Sequence, residues 1–166
     1  MEYTRSEILA AREAWIEYLM KPHRRKFRGS LANPKRGDER CCIGHATHLF
    51  FGLKKYGPSD LYKYHYKDNT STAHEDLIEK LGLHSSAGSI LHAVNIGKSL
   101  RDIEKFIGKF NEENKHRKLG KYDQLDSLAR VNDWTMTSPQ KIGEYLLHVI
   151  EGGDDTPFVS LSEYPE

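Results

Sequence analysis

A chain of 166 residues has room for one domain with one substantial hydrophobic core and needs neither disulfides nor a metal to hold it together. Its formal net charge of +1, with 30% charged residues, excludes a global field that would by itself recruit nucleic acid or a membrane surface, so any basic surface is local. The opening residues, MEYTRSE, lack the cationic flank and apolar core of a secretory signal, and the only two cysteines are neighbours, a spacing unsuited to stapling a fold; the expectation is a soluble, cytoplasmic protein with reduced thiols.

Near the N-terminus Thr4 is placed to cap a first helix, Glu7 to reach back to it, and Tyr3 to pack on Ile8. Ile8, Ala11, Trp15 and Leu19 then recur at helical spacing until Lys21-Pro22 ends the run. Residues 21–40, KPHRRKFRGSLANPKRGDER, hold eight Lys or Arg against Asp38 and Glu39, and Pro22, Gly29, Pro34 and Gly37 interrupt any regular pattern. This reads as a basic loop. From Cys42 the apolar positions Cys42, Ala46, Leu49, Phe50 and Leu53 predict a second amphipathic helix stopped near Gly52. Gly44, one turn into it, points to the close approach of another backbone or of a ligand. Residues 61–67, LYKYHYK, alternate and would place Tyr62, Tyr64 and Tyr66 on one side of a strand. A third helix is predicted from Thr72, with Glu75 completing a capping box, to Gly82.

The second half contains an echo. Leu91-His92-Ala93-Val94-Asn95 followed by Ser99-Leu100-Arg101-Asp102-Ile103 is matched by Leu128-Ala129-Arg130-Val131-Asn132 followed by Ser138-Pro139-Gln140-Lys141-Ile142. Each copy reads as a short helix ending at Asn, a turn, a Ser cap and a longer amphipathic helix, with Pro139 at a first helical position. An internal helix-turn-helix duplication and a shared cap-and-turn grammar both account for it. Gly152-Gly153 closes the last helix.

The stretch RCCIGHATH, residues 40–48, concentrates two thiols and two imidazoles. If Asp38 caps the helix, Cys41 falls in the first turn, where the helix dipole and Arg40 favour a thiolate, and His45 shares its face at i+4. Against a catalytic pair stands Cys42, which lies on the apolar stripe of a core helix, so small buried thiols are the plainer reading. A metal on Cys41, His45 and His48 is disfavoured because Cys41 and His48 are about 10 Å apart along a helix.

The REAW opening helix, the basic stretch, the CC-x-G helix start, the LGL helix end and an L-x-x-x-N-D turn before an amphipathic helix together resemble a set of small uncharacterised proteins of bacteriophages and prophages. The resemblance follows motif order over roughly residues 11–150. Asn132-Asp133 keeps the family dipeptide, whereas Asn95-Ile96 lacks the carboxylate, and His45 and His48 stand where the family has aliphatic and acidic residues. It implies a phage-encoded accessory or counter-defence protein in a host cytoplasm, acting by binding.

The expected fold is mainly α: a compact single domain over residues 1–151, of about six or seven helices with one small β element, followed by an acidic C-terminal tail over residues 152–166. The expected activity is binding rather than turnover. Arg24, Arg25, Lys26 and Arg28 would meet phosphates, Tyr62, Tyr64 and Tyr66 would stack a base, and Asn132 and Asp133 are further ligand candidates. The partner would be a phosphate-bearing small molecule, a nucleotide signal among them, or a host protein, with no membrane, metal or cofactor; self-association is left open. The main alternative is a thiol-dependent hydrolase or transferase using Cys41 and His45. DNA recognition by the helix-turn-helix units is disfavoured by Asp102, Glu104 and Glu144 on their second helices, where phosphate would be repelled.

Overall fold

Helix α1 spans Arg5–Met20 and starts as its sequence dictates: the Thr4 hydroxyl accepts from the Glu7 amide while the Glu7 carboxylate accepts from the Thr4 amide. Ile8, Ala11, Trp15 and Leu19 are buried along one face, joined by Ile16 and, unexpectedly for a cation, by Arg12. The computed structural model describes residues 2–22, 24–56, 63–89, 112, 127–134, 137–152 and 157–166.

After α1 the chain departs from expectation. Residues 21–40 build a three-stranded sheet of β1 (Arg25–Lys26), β2 (Ala32–Asn33) and β3 (Arg36–Arg40), ordered β1-β3-β2, with β1 parallel and β2 antiparallel to β3. The strands carry almost no apolar residue, so they leave no alternating hydrophobic signal. Their side chains instead pair with one another: Asn33 donates to Glu39 at 2.8 Å, and Arg36 stands 3.8 Å from Asp38 and 3.7 Å from Glu39.

Helix α2 (Cys42–Phe50) follows β3 directly, and Gly52 (φ +80°) takes the left-handed turn beyond it. Strands β4 (Lys54–Tyr56) and β5 (Lys63–His65) pair antiparallel as a second sheet. Helix α3 (Glu75–Leu81) ends at Gly82 (φ +63°) as its spacing predicts, but it begins late. Thr72 does not cap it, because its hydroxyl accepts from Asn69 at 3.2 Å; the His74 ring accepts from the Asp76 amide at 3.1 Å in its place. Helices α4 (Leu128–Trp134) and α5 (Pro139–Ile150) follow, the latter with Ser138 as cap and Pro139 in the first turn. A 3-10 turn, Leu161–Glu163, closes the chain.

The six-or-seven-helix expectation is therefore corrected: the described residues hold five α-helices and five strands in two sheets. The first copy of the sequence echo and Tyr62 lie outside the described residues.

Trp15, Leu19, Leu77, Leu81, Leu128 and Ile142 sit at the centre, each fully buried, and each aliphatic among them contributes roughly 1.5–3 kcal/mol. Gly143 lets α5 approach α1, where the Ile16 carbonyl would lie 3.3 Å from an added Cβ. Phe158 meets Trp15 edge-on, with ring centres 6.3 Å apart. Around this contact residues 157–166 wrap back onto α1 and α3: Arg12 donates to the carbonyls of Leu81 (2.7 Å), Gly82 (3.3 Å) and Val159 (2.8 Å), and its guanidinium lies 4.3 Å from the Phe158 ring centre. Among the described residues no helix is long and apolar enough to cross a membrane.

Candidate functional site

The cysteine helix is built inward. Asp38 belongs to β3 and faces Arg36, so it does not cap α2; Cys41 does, its Sγ accepting from the Gly44 amide at 3.2 Å. Cys41 is 5% exposed, and burial pushes its thiol up to about 12, the opposite of the activated thiolate that an exposed helix start would give. Cys42 turns its sulfur towards the Leu128 carbonyl at 3.8 Å and is also raised by burial. His45 is fully buried. Its Nε2 stands 2.6 Å from the Arg25 carbonyl, which can only accept, so Nε2 carries the proton and Nδ1 is left buried without a partner. Burial, with the charges of Arg40 and Arg24 behind it, holds this imidazole down at about 4. No hydrogen bond joins the Cys41 and His45 side chains. A buried thiol raised by desolvation and with no hydrogen bond to the imidazole is not an activated nucleophile–base pair in this arrangement.

Gly44 explains itself by contact. A Cβ there would overlap the Leu31 carbonyl, so the glycine admits the chain just before β2 rather than a ligand.

The basic segment is fixed by its backbone. His45 holds the Arg25 carbonyl; Asn132 Nδ2 donates to the Phe27 carbonyl at 2.8 Å; the Gly29 amide donates to Asp133 Oδ1 at 3.0 Å; Gln140 Nε2 donates to the carbonyls of Lys21 and Arg24. Asn132 and Asp133, predicted as ligand residues or caps, thus tie α4 to the loop after β1. Asn132 is fully buried and lies inside α4, not at its end. Its Nδ2 also donates to Asp133 Oδ1, while its own Oδ1 is buried and unpaired.

The predicted cations divide into two groups. Lys26 reaches inward and donates to the Thr137 carbonyl at 2.8 Å, and Arg24 lies 3.6 Å from the ring centre of Tyr18 with its Nε on the Tyr18 carbonyl. Arg25 and Arg28 are exposed, Arg25 with its Nε 4.0 Å from Asp38.

Of the expected tyrosine row, Tyr64 and Tyr66 lie among the described residues, and each is already packed against protein. Tyr64 presses on Gly37 of β3, which joins the two sheets, and Lys55 stands 5.6 Å from its ring centre. Tyr66, past the end of β5, stacks on Phe51 (4.8 Å), meets His74 edge-on and donates to Asp76 at 2.7 Å. The positive φ of Lys67 (+49°) turns the chain just there.

The second helix-turn-helix unit buries Ile142, Tyr145 and Leu146 of α5 against the core, and its exposed Lys141 pairs with Glu144 at 3.1 Å. Among the described residues no group of three or more His, Cys, Asp or Glu side chains is arranged to hold a metal ion. A groove of about 400 Å³ between α1 and α5, lined by Ile16, Met20, Leu147 and Ile150, contains none of the predicted site residues.

Two contributions escaped sequence reasoning. Lys54 and Lys55, exposed on β4, extend the basic surface across the second sheet; the signal was a lysine pair two residues after Gly52, the glycine that stops α2. Arg40, treated as a neighbour of Cys41, instead donates to the Tyr18 phenol at 3.2 Å.

Comparison of the chain with models of protein families, with curated proteins and with solved structures finds no match in any of the three.

Proposed function

We propose that the protein works by binding, as an accessory or counter-defence protein of the phage type, and that its basic β layer engages a phosphate-bearing ligand of the nucleotide class. The observation that carries this reading is the exposed set Arg25, Arg28, Lys35, Arg36, Lys54 and Lys55 on and beside two adjoining small sheets, whose described strands carry two carboxylates, Asp38 and Glu39. A rigidly tied backbone leaves only the side chains to be ordered when the cations meet an anion, and Tyr64 between the sheets offers an aromatic neighbour. The burial of both thiols and of His45 supports the same reading, since it removes the best-placed nucleophile and base from solvent.

The test is titration of the purified protein with a fluorescent adenine nucleotide, alongside native mass spectrometry of protein recovered from expressing cells. Binding should weaken with added salt and fall about tenfold when Arg25 and Lys55 are both changed to Glu. Cys41→Ser should bind as the parent does, because serine is itself a good helix cap and the sulfur performs no chemistry in this reading. Catalytic consumption of the nucleotide that stops in Cys41→Ser would overturn it.

A further inference from the structure

We infer that the cavity between α1, α5 and the terminal segment 157–166 is a second binding site, for a small aliphatic carboxylate whose charge meets Arg12 and whose body lies on apolar walls. The inference goes beyond the phosphate-binding reading and does not depend on it.

The cavity has a volume of about 290 Å³. Leu9 of α1, Val149 and Ile150 of α5, and Phe158 and Leu161 of the terminal segment supply its apolar walls, and Arg12 lines it with them. Ser160 also lines it and is exposed, so the cavity meets solvent there. At the volume that one water occupies in the liquid, the space holds about ten non-hydrogen atoms. A carboxylate on a chain of about eight carbons is of that size, and a nucleotide is too large.

Arg12 is a buried cation without an anion. It is 3% exposed, and although burial lowers its pKa to about 10, it stays charged at neutral pH. Its Nε donates to the Leu81 carbonyl and its Nη2 to the carbonyls of Gly82 and Val159. These bonds satisfy donors without cancelling the charge. Nη1 donates to no acceptor among the described residues, yet it is not sealed from solvent. No ion pair among the described residues includes Arg12: Glu13 lines the neighbouring groove, and Glu166 pairs with Arg5 at 3.0 Å. No described carboxylate lines the cavity either.

Charges buried this far are ordinarily paired. A guanidinium already fixed by three carbonyls, with one nitrogen left over, is ordered before a ligand oxygen arrives. A single positive charge matches a monoanion better than a phosphate dianion, and the apolar walls favour an aliphatic body over water.

The experiment is an NMR titration of the full chain with octanoate, following the methyl groups of Leu9, Val149 and Ile150 and the Arg12 Nε–H. Octanol has the chain without the charge, acetate has the charge without the chain, and N-acetylleucine stands for the C-terminus of a peptide. Octanoate should shift all four groups saturably and bind about tenfold or more tighter than octanol or acetate. Tighter binding of octanoate than of N-acetylleucine supports the site and assigns it to a free acid; the reverse supports the site and assigns it to a chain terminus. Arg12→Gln also loosens the terminal segment, so the deciding variant is Ser160→Asp. It keeps a good cap for the 3-10 turn, where Ser160 accepts from the Ser162 amide, and puts a negative charge on the cavity wall. Octanoate binding should weaken severalfold in Ser160→Asp and be unchanged in Arg25→Glu. The site is wrong if octanoate at millimolar concentration shifts none of the four groups, binds no tighter than octanol, binds Ser160→Asp as tightly as the parent, or is lost in Arg25→Glu. The phosphate reading stands or falls separately, on its own nucleotide titration.

Discussion

His45 is the residue whose environment is furthest from its ordinary chemistry, and the consequence is a pH dependence with a definite sign. Its folded pKa of about 4 lies below the usual value of 6.5, so the unfolded chain binds the proton first as pH falls. Its contribution to stability is therefore complete above about pH 6.5 and is lost progressively down to about pH 4, by roughly 3 kcal/mol in all. Urea melts across that window, compared with His45→Gln, should show a flatter profile in the variant, whose amide can still donate to the Arg25 carbonyl. Gly44 gives a second test at this scale. Because a Cβ would overlap the Leu31 carbonyl, which is backbone and cannot swing aside, Gly44→Ala should cost about 3 kcal/mol despite alanine's better helix propensity. A denaturation midpoint at or above the parent's would refute that account.

At the scale of elements, the decisive difference lies between structure written locally and structure made by distant pairing. Helix α1 was legible because its cap, its box and its stripe all fall within sixteen residues. The end of α3 was legible for the same reason, through Gly82. Its start was not, since the competition between Thr72 and His74 is settled by Asn69 and not by the capping motif. The sheet at residues 25–40 was invisible: five-residue β3 is wholly polar but for Gly37, and its partners β1 and β2 are two residues each. Nor could spacing show that Asn132 reaches the Phe27 carbonyl, 105 positions away. That link carries its own prediction. Asn132→Ala should destabilise the protein by about 2 kcal/mol and speed hydrogen exchange at the Gly29 amide, whose acceptor Asp133 is steadied by the Asn132 side chain. Unchanged exchange at Gly29 would mean that α4 does not hold the basic segment.

Over the whole molecule, the candidate site was legible in kind and not in composition. Arg24, Arg25 and Arg28 are where a run of cations announces them, yet Tyr18, Lys54 and Lys55 join them only through folding. Arg12 shows the same limit in the core, because nothing in a helical pattern distinguishes a cation facing solvent from one that fastens the last segment of chain. Removing residues 157–166 should therefore do more than trim a surface strand. It strips Phe158 from Trp15 and takes one of the three carbonyls from a buried guanidinium whose pKa burial already lowers to about 10. The expected loss is about 3 kcal/mol or more, read as a fall in Tm of about 10 °C. The edges of the three-stranded sheet have a different significance. Two residues of β1 and two of β2 offer a stray chain almost no ladder to extend, so this basic layer is poorly suited to templating fibrils.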